Sequence, residues 1–207
     1  VPIPGAGATW FEIDELGFDQ QFIAVLSLLT SVLTLTGMLI LRPMMATKSI
    51  VYIVLLLTIA AGCLALPNIG LYYGIHEWTA ARTNGVVDAR FIAVIDAAVE
   101  SPLGQIAMIP MLAWIAKNAP DDLKATFFAV MASFTNLALS ASSLLTKYMN
   151  QIFVVTREVR DRTTGELITP ADYSALGGLL ITVALITVVV PIVTIVLVQR
   201  SPCRTDE

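Results

Sequence analysis

Five long apolar stretches, separated by polar gaps, decide what this chain can fold into. A bilayer core of about 30 Å is crossed by about 20 consecutive, mostly apolar helical residues. Only a helix or a closed barrel satisfies its backbone N–H and C=O groups where water is absent. The stretches cover residues 21–41, 50–66, 91–116, 123–152 and 173–198. Arg42 and Pro43 mark the expected stop of the first, Pro67 of the second, and Lys117 with Pro120 of the third. Gln199 and Arg200 close the fifth. The composition agrees: 57% of residues are hydrophobic and 14% charged, against about 45–50% and 25% in soluble domains. The mean hydropathy is +0.80. The fold class expected is therefore an all-α, polytopic membrane helix bundle. Residues 1–20 are expected to hold the end of a helix begun upstream and an outer loop. Residues 21–199 form a five-helix bundle, and residues 200–207 a cytoplasmic tail.

The opening Val1–Gly5 has no initiator Met, and no basic segment or short apolar core follows it as in a signal peptide. The expectation is a piece of a longer protein whose N-terminal half lies upstream. Orientation follows from Lys and Arg near the span ends. Arg42, Lys48, Lys117, Lys124, Arg200 and Arg204 lie on one side; Arg82, Arg90, Lys147, Arg157, Arg160 and Arg162 lie on the other. The first set sits in short loops, where such charges weigh most, so that side and the C-terminus are placed in the cytoplasm.

Composition also removes several function classes. A net charge of -4 with no basic run argues against a nucleic acid partner. Cys63 and Cys203 make no disulfide framework. No metal-ligand spacing, activated nucleophile or phosphate-cradling glycine loop is present, so neither cofactor, metal nor enzyme is expected. His76, the one histidine, falls in an outer gap beside Glu77 and Trp78 and reads as an interfacial residue.

The sharpest chemical signal lies in the third span. Asp96 and Glu100 are four residues apart and share a helix face. Glu100 sits about 14 Å along the axis from Phe91, near mid-bilayer, where a lipid-facing charge costs about 3 kcal/mol or more. Small residues Ala93, Ala97, Gly104 and Ala107 share that face, and Ile95, Val99, Ile106 and Ile109 oppose it. The acids are expected to face protein or a water-filled cavity. Two carboxylates this close repel one another, an arrangement suited to proton coupling or to an amine-bearing heterocycle. The alternative is a structural pair bonded to neighbouring helices. Pro102 and Pro110 invite kinks in the same helix, and Gln105 could reach a ligand or a freed carbonyl. In the fourth span, Ser133, Asn136, Ser140 and Ser143 form a polar stripe. Such stripes commonly serve close helix packing; Asn136 could also contact a ligand. Ser27, Thr30, Ser31, Thr34 and Gly37 in the first span read as packing.

These residues resemble the folate–biopterin transporter family of the major facilitator superfamily. The likeness rests on Pro4-Gly5 with Phe11 and Glu15-Leu16-Gly17-Phe18, and on Gly74-Ile75-His76-Glu77-Trp78 ahead of the helix holding Asp96. It rests also on Ala119-Pro120, then Ala125-Thr126-Phe127-Phe128-Ala129, Ser133 and Asn136. The gap Phe153–Asp172 is longer and more charged than the family pattern leads one to expect. The resemblance implies the C-terminal part of a twelve-helix fold, with the spans as the eighth to twelfth helices and Asp96 and Glu100 on a cavity-lining tenth. It implies a secondary active transporter of a small organic solute, folate or a pterin, driven by protons and working by alternating access in a bacterial inner membrane. Asp96, Glu100, Gln105, Ser133 and Asn136 would form the substrate and proton pathway. Transport of another solute, or a non-transporting scaffold or receptor, are the other readings. The implied partners are the solute, protons, the lipid bilayer and the upstream half of the same protein.

Overall fold

The computed structural model describes residues 1–47, 49–106, 120, 122–161 and 163–200; within its helices the side chains of residues 41, 42, 44–47, 50, 102 and 104–106 fall outside that description. The elements in chain order are α1 (Ala6–Asp14), α2 (Gln20–Thr47), α3 (Ile50–Tyr72), α4 (Ile75–Arg82), α5 (Ala89–Ile106) and α6 (Lys124–Ile152). Two short strands follow, β1 (Val159–Arg160) and β2 (Leu167–Thr169), and then α7 (Leu176–Arg200).

The long helices start where a side-chain oxygen can take an orphan backbone N–H. Asp19 accepts from Phe22 N–H at 2.7 Å ahead of α2, and Asp88 from Phe91 N–H at 2.8 Å ahead of α5. Ser49 accepts from Tyr52 N–H at 3.3 Å at the start of α3. Gly74, at φ 77°, turns the chain from α3 into α4, a backbone conformation that glycine adopts without cost.

Two helix ends differ from expectation. α2 runs through Arg42 and Pro43 to Thr47, and α3 passes Pro67 and ends at Tyr72. A proline inside a helix forfeits one backbone bond and strains the preceding turn. Where neighbours or a cavity relieve the freed carbonyl, a membrane helix keeps going, because unwinding would strand more polar backbone. α7 begins at Leu176 rather than at Tyr173. Asp172 takes Ser174 N–H at 2.9 Å, and the Tyr72 hydroxyl bonds the carbonyls of Tyr173 and Ser174 at 3.1 and 3.2 Å, which holds this segment out of the helix. The third expected span is described as far as Ile106; residues 107–116 lie outside the described residues, as does the tail from 201. So do Lys48, Lys117, Arg162 and Arg204 of the residues that orient the chain.

Among the described residues, four helical segments are long and apolar enough to cross a membrane: Gln20–Ile40, Val51–Tyr72, Lys124–Ile152 and Leu176–Arg200. α5 carries Arg90, Asp96 and Glu100 within its 18 described residues. α2 packs on α5, α5 on α3, and α3 on α7. The α3–α7 seam is drawn tight by glycine. A Cβ added at Gly62 would come within 2.6 Å of Val188, and one at Gly177 would run into the Tyr72 ring. One apolar cluster joins Met149 near the end of α6 to Leu176, Leu179, Leu180 and Val183 of α7, with Phe11, Tyr72 and Phe153 against it. A second gathers Phe18, Leu71 and Ala89. Elsewhere the helices show aliphatic faces outward. Val25, Leu28, Val32, Leu35 and Leu39 of α2 are all exposed; spaced by three and four, they form one stripe along the helix. Such a stripe suits hydrocarbon. Ile95 and Val99 of α5 are likewise exposed.

The gap between α6 and α7 holds structure that the apolar pattern did not announce. β1 and β2 pair antiparallel, with Val159 opposite Thr169 and Arg160 opposite Leu167, and Thr156 bridges Asp172. The Asp161 carboxylate takes the N–H groups of Thr163 and Thr164 at 2.6 and 3.0 Å, and Gly165 turns at φ 73°. The Thr-Thr-Gly sequence between β-branched residues was the available signal.

Candidate functional site

Asp96 projects from the middle of α5 and is only 7% exposed. Its Oδ2 accepts a hydrogen bond of 2.9 Å from Asn68 Nδ2 on α3. Its Oδ1 is buried and has no hydrogen-bond partner among the described residues. A buried carboxylate left half-satisfied is costly, and natural proteins keep such groups mainly where they act. Asp96 lines a cavity of about 210 Å³ together with Glu12 of α1, Asn68 and Glu100. Phe18, Leu71 and Ala93 supply its apolar wall.

A larger cavity of about 550 Å³ adjoins it. Glu12, Asn68, Leu71 and Glu100 line both spaces, so they form the partition between them. The larger space is walled mostly by aliphatic side chains, among them Leu57, Leu64, Leu103 and Leu180, with Thr9 and Thr187 as further polar groups. Binding cavities for small organic molecules have this character: about 300–1,000 Å³, mainly apolar, with a few polar groups placed to orient the ligand. Among the described residues, Glu12 and Glu100 form no ion pair, and no group of three metal-ligating side chains is close enough to hold an ion.

The structure therefore brings Asp96 and Glu100 to one site and adds two residues that the sequence reading missed. Pro67 as the expected stop of the second span leaves Asn68 in the gap after it; the helix instead continues to Tyr72 and carries Asn68 within it. Glu12 falls within residues 1–20, expected to hold a helix end and an outer loop, and nothing in its local sequence sets it apart from Asp14, Glu15 and Asp19. Ser133 and Asn136 stand elsewhere. Both are exposed, the Ser133 hydroxyl donates to the Ala129 carbonyl of its own helix at 2.9 Å, and Ser140 bonds the Asn136 carbonyl at 2.9 Å. Neither lines the two cavities. The Gln105 side chain lies outside the described residues.

A second polar cluster closes the same end of the bundle as the α3 C-terminus. Arg157 of the hairpin segment holds the Asp14 carboxylate through two bonds of 2.9 and 2.7 Å, and the Tyr173 hydroxyl donates to Asp14 Oδ2 at 2.7 Å. Burial, and then the bond to Asp14, push the Tyr173 hydroxyl up to about 12. The bond to Asp14 also raises the Arg157 guanidinium above its ordinary value. The cluster ties the loop between α6 and α7 to the end of α1.

Membrane-crossing helices packed around a desolvated carboxylate and an internal cavity define a polytopic integral membrane protein with a polar site in its interior. Comparison with known proteins carries this further. Residues 3–207 match the BT1 family, and the chain belongs to it. Over 144 residues it is 29% identical to a protein of Synechocystis sp. (strain ATCC 27184 / PCC 6803 / Kazusa) named Folate-biopterin transporter, a match covering 68% of this chain and 28% of that protein. The matched region thus spans little more than a quarter of that relative's length. No solved structure matches. The resemblance to the folate–biopterin transporter family read from the residues is borne out.

Proposed function

We propose that this chain is part of a secondary active transporter of a small organic solute, folate or a pterin, coupled to protons and working by alternating access. The observation that carries the reading is Asp96: a buried carboxylate with an unsatisfied oxygen, facing a cavity between membrane helices of a BT1-family chain. Intramembrane acids are expensive and mark solute and proton pathways. Asp96 and Glu100 are assigned to proton coupling or solute contact. In this reading the chain supplies the last five spans of a twelve-helix major facilitator fold, with the C-terminus in the cytoplasm of a bacterial inner membrane. Binding then sits near the midplane between two helical halves that rock about it.

The test is uptake of radiolabelled folate and biopterin by cells expressing the full-length protein, with Asp96→Asn and Glu100→Gln at matched membrane abundance. Accumulation by wild type that is lost in a variant supports the reading. Accumulation of neither compound by wild type removes the pterin assignment. Full activity of both variants favours a structural acid pair.

A further inference from the structure

The partition between the two cavities presents hydrogen-bond acceptors. Glu12 and Glu100 carry carboxylates, which when ionised only accept. Asn68 gives one amide N–H to Asp96 and keeps its second N–H and its carbonyl oxygen. A solute that seats against the two carboxylates must bring donors. Asp96, more than nine-tenths buried and with one oxygen unsatisfied, lines the smaller cavity and not the larger one. A metal ion is a poor occupant, since no three ligating side chains converge among the described residues. The larger cavity offers aliphatic walls and about 550 Å³, room for a bicyclic ring system and little else polar.

Of the two carboxylates on the partition, Glu100 is exposed whereas Glu12 is half-buried. A partly desolvated carboxylate makes the stronger and more directional bonds. We propose that Glu12 is a solute-binding carboxylate, which accepts two parallel N–H donors from the edge of a flat, amino-substituted heterocycle lying in the larger cavity. Asp96, held by Asn68 at the far side of the partition, then remains separate from solute recognition. This rests on the transport reading above and gives it an orientation: the ring's amino-substituted edge points at α1, and any anionic substituent points away from the acids.

The experiment is competition in whole cells expressing the full-length protein, with radiolabelled biopterin as the probe. Unlabelled pterin and lumazine compete. The two share a ring system, but lumazine has a carbonyl where pterin has its 2-amino group, so a carboxylate would face an acceptor there. Wild type is expected to favour pterin over lumazine by about 10-fold or more, since a site built to bond a donor rejects the analogue lacking it. Glu12→Gln, which can offer an N–H of its own, is expected to bring that ratio to within about twofold of unity, with the pH profile of uptake unchanged. Glu12→Asp, assayed beside it, is expected to keep the preference at a higher KM; it decides the matter if Glu12→Gln does not reach the membrane. Undiminished preference in Glu12→Gln, or loss of preference in Glu12→Asp, overturns the proposal and leaves transport standing. Failure of wild type to accumulate biopterin removes the biopterin substrate on which this proposal rests, and the proposal with it.

Discussion

α5 and α6 each carry polar side chains at helical spacing inside apolar surroundings, yet they are treated in opposite ways. On α6 two serines turn back on their own helix: Ser133 and Ser140 each bond a carbonyl four residues earlier. On α5 the carboxylate of Asp96 has no such outlet, because an ionised acid cannot donate to a carbonyl. It draws in Asn68 from α3 and shares its cavity with Glu12 from α1. These two hydroxyls satisfy themselves locally. Acids must be answered from other elements, and where the answer is incomplete a cavity with an unsatisfied oxygen results.

That contrast can be broken by substitution. Asp96→Asn in the full-length protein is expected to lower uptake on the order of 100-fold, equivalent to about 2.7 kcal/mol. Activity near wild type would make the α5 acid no more than a packing device. Asn68→Leu should come next. It leaves Asp96 Oδ2 without its partner, a loss of about 1–3 kcal/mol, read as uptake reduced about 10-fold and a lower melting temperature in detergent. Tyr173→Phe removes one bond of the outer clasp. Proteolytic nicking of residues 153–175 should rise about two- to threefold, with uptake retained, as expected when a local opening becomes easier. Ser133→Ala should change stability by less than about 0.5 kcal/mol. A large effect there would point to a role for the α6 stripe beyond packing.

The smallest effect concerns pH. The Asp161 carboxyl is pulled from its ordinary 3.8 down to about 2, first by the Thr163 hydroxyl and then by the Thr164 and Thr163 N–H groups. A carboxyl depressed in the folded state stabilises fully above its unfolded value and loses that contribution as pH falls through its folded one. Amide protection in the hairpin should therefore hold steady down to about pH 4 and decline between about 4 and 2. A decline that begins near neutrality would contradict the assignment.

The spans and the α5 acids were legible because hydrocarbon imposes length and polarity on each segment separately. Asp96 in an apolar run stands out whatever surrounds it. Asn68 did not, since the proline beside it spoke for a helix end, and only contact with α5 shows why the helix continues. Glu12 could not be read at all: an acid among Asp14, Glu15 and Asp19 acquires meaning only when α1 is laid against α3 and α5. The hairpin escaped for another reason. Its strands are two and three residues long, too short for period-two alternation to register. Spacing alone does not tell a side chain bonded to its own backbone, as Ser133 and Ser140 are, from one reaching for a ligand.

The tight α3–α7 seam carries a consequence for descent. Gly177 faces the Tyr72 ring so closely that a methyl group on one forbids the ring on the other. Neither position can drift alone. Among relatives, a larger residue at the place of Gly177 should appear together with a smaller one at the place of Tyr72, and Gly62 should trade volume with Val188 in the same manner. Loss of that ring would also remove the hydroxyl that holds Tyr173 and Ser174 out of α7. Lineages that make the exchange should therefore begin the last helix a turn earlier.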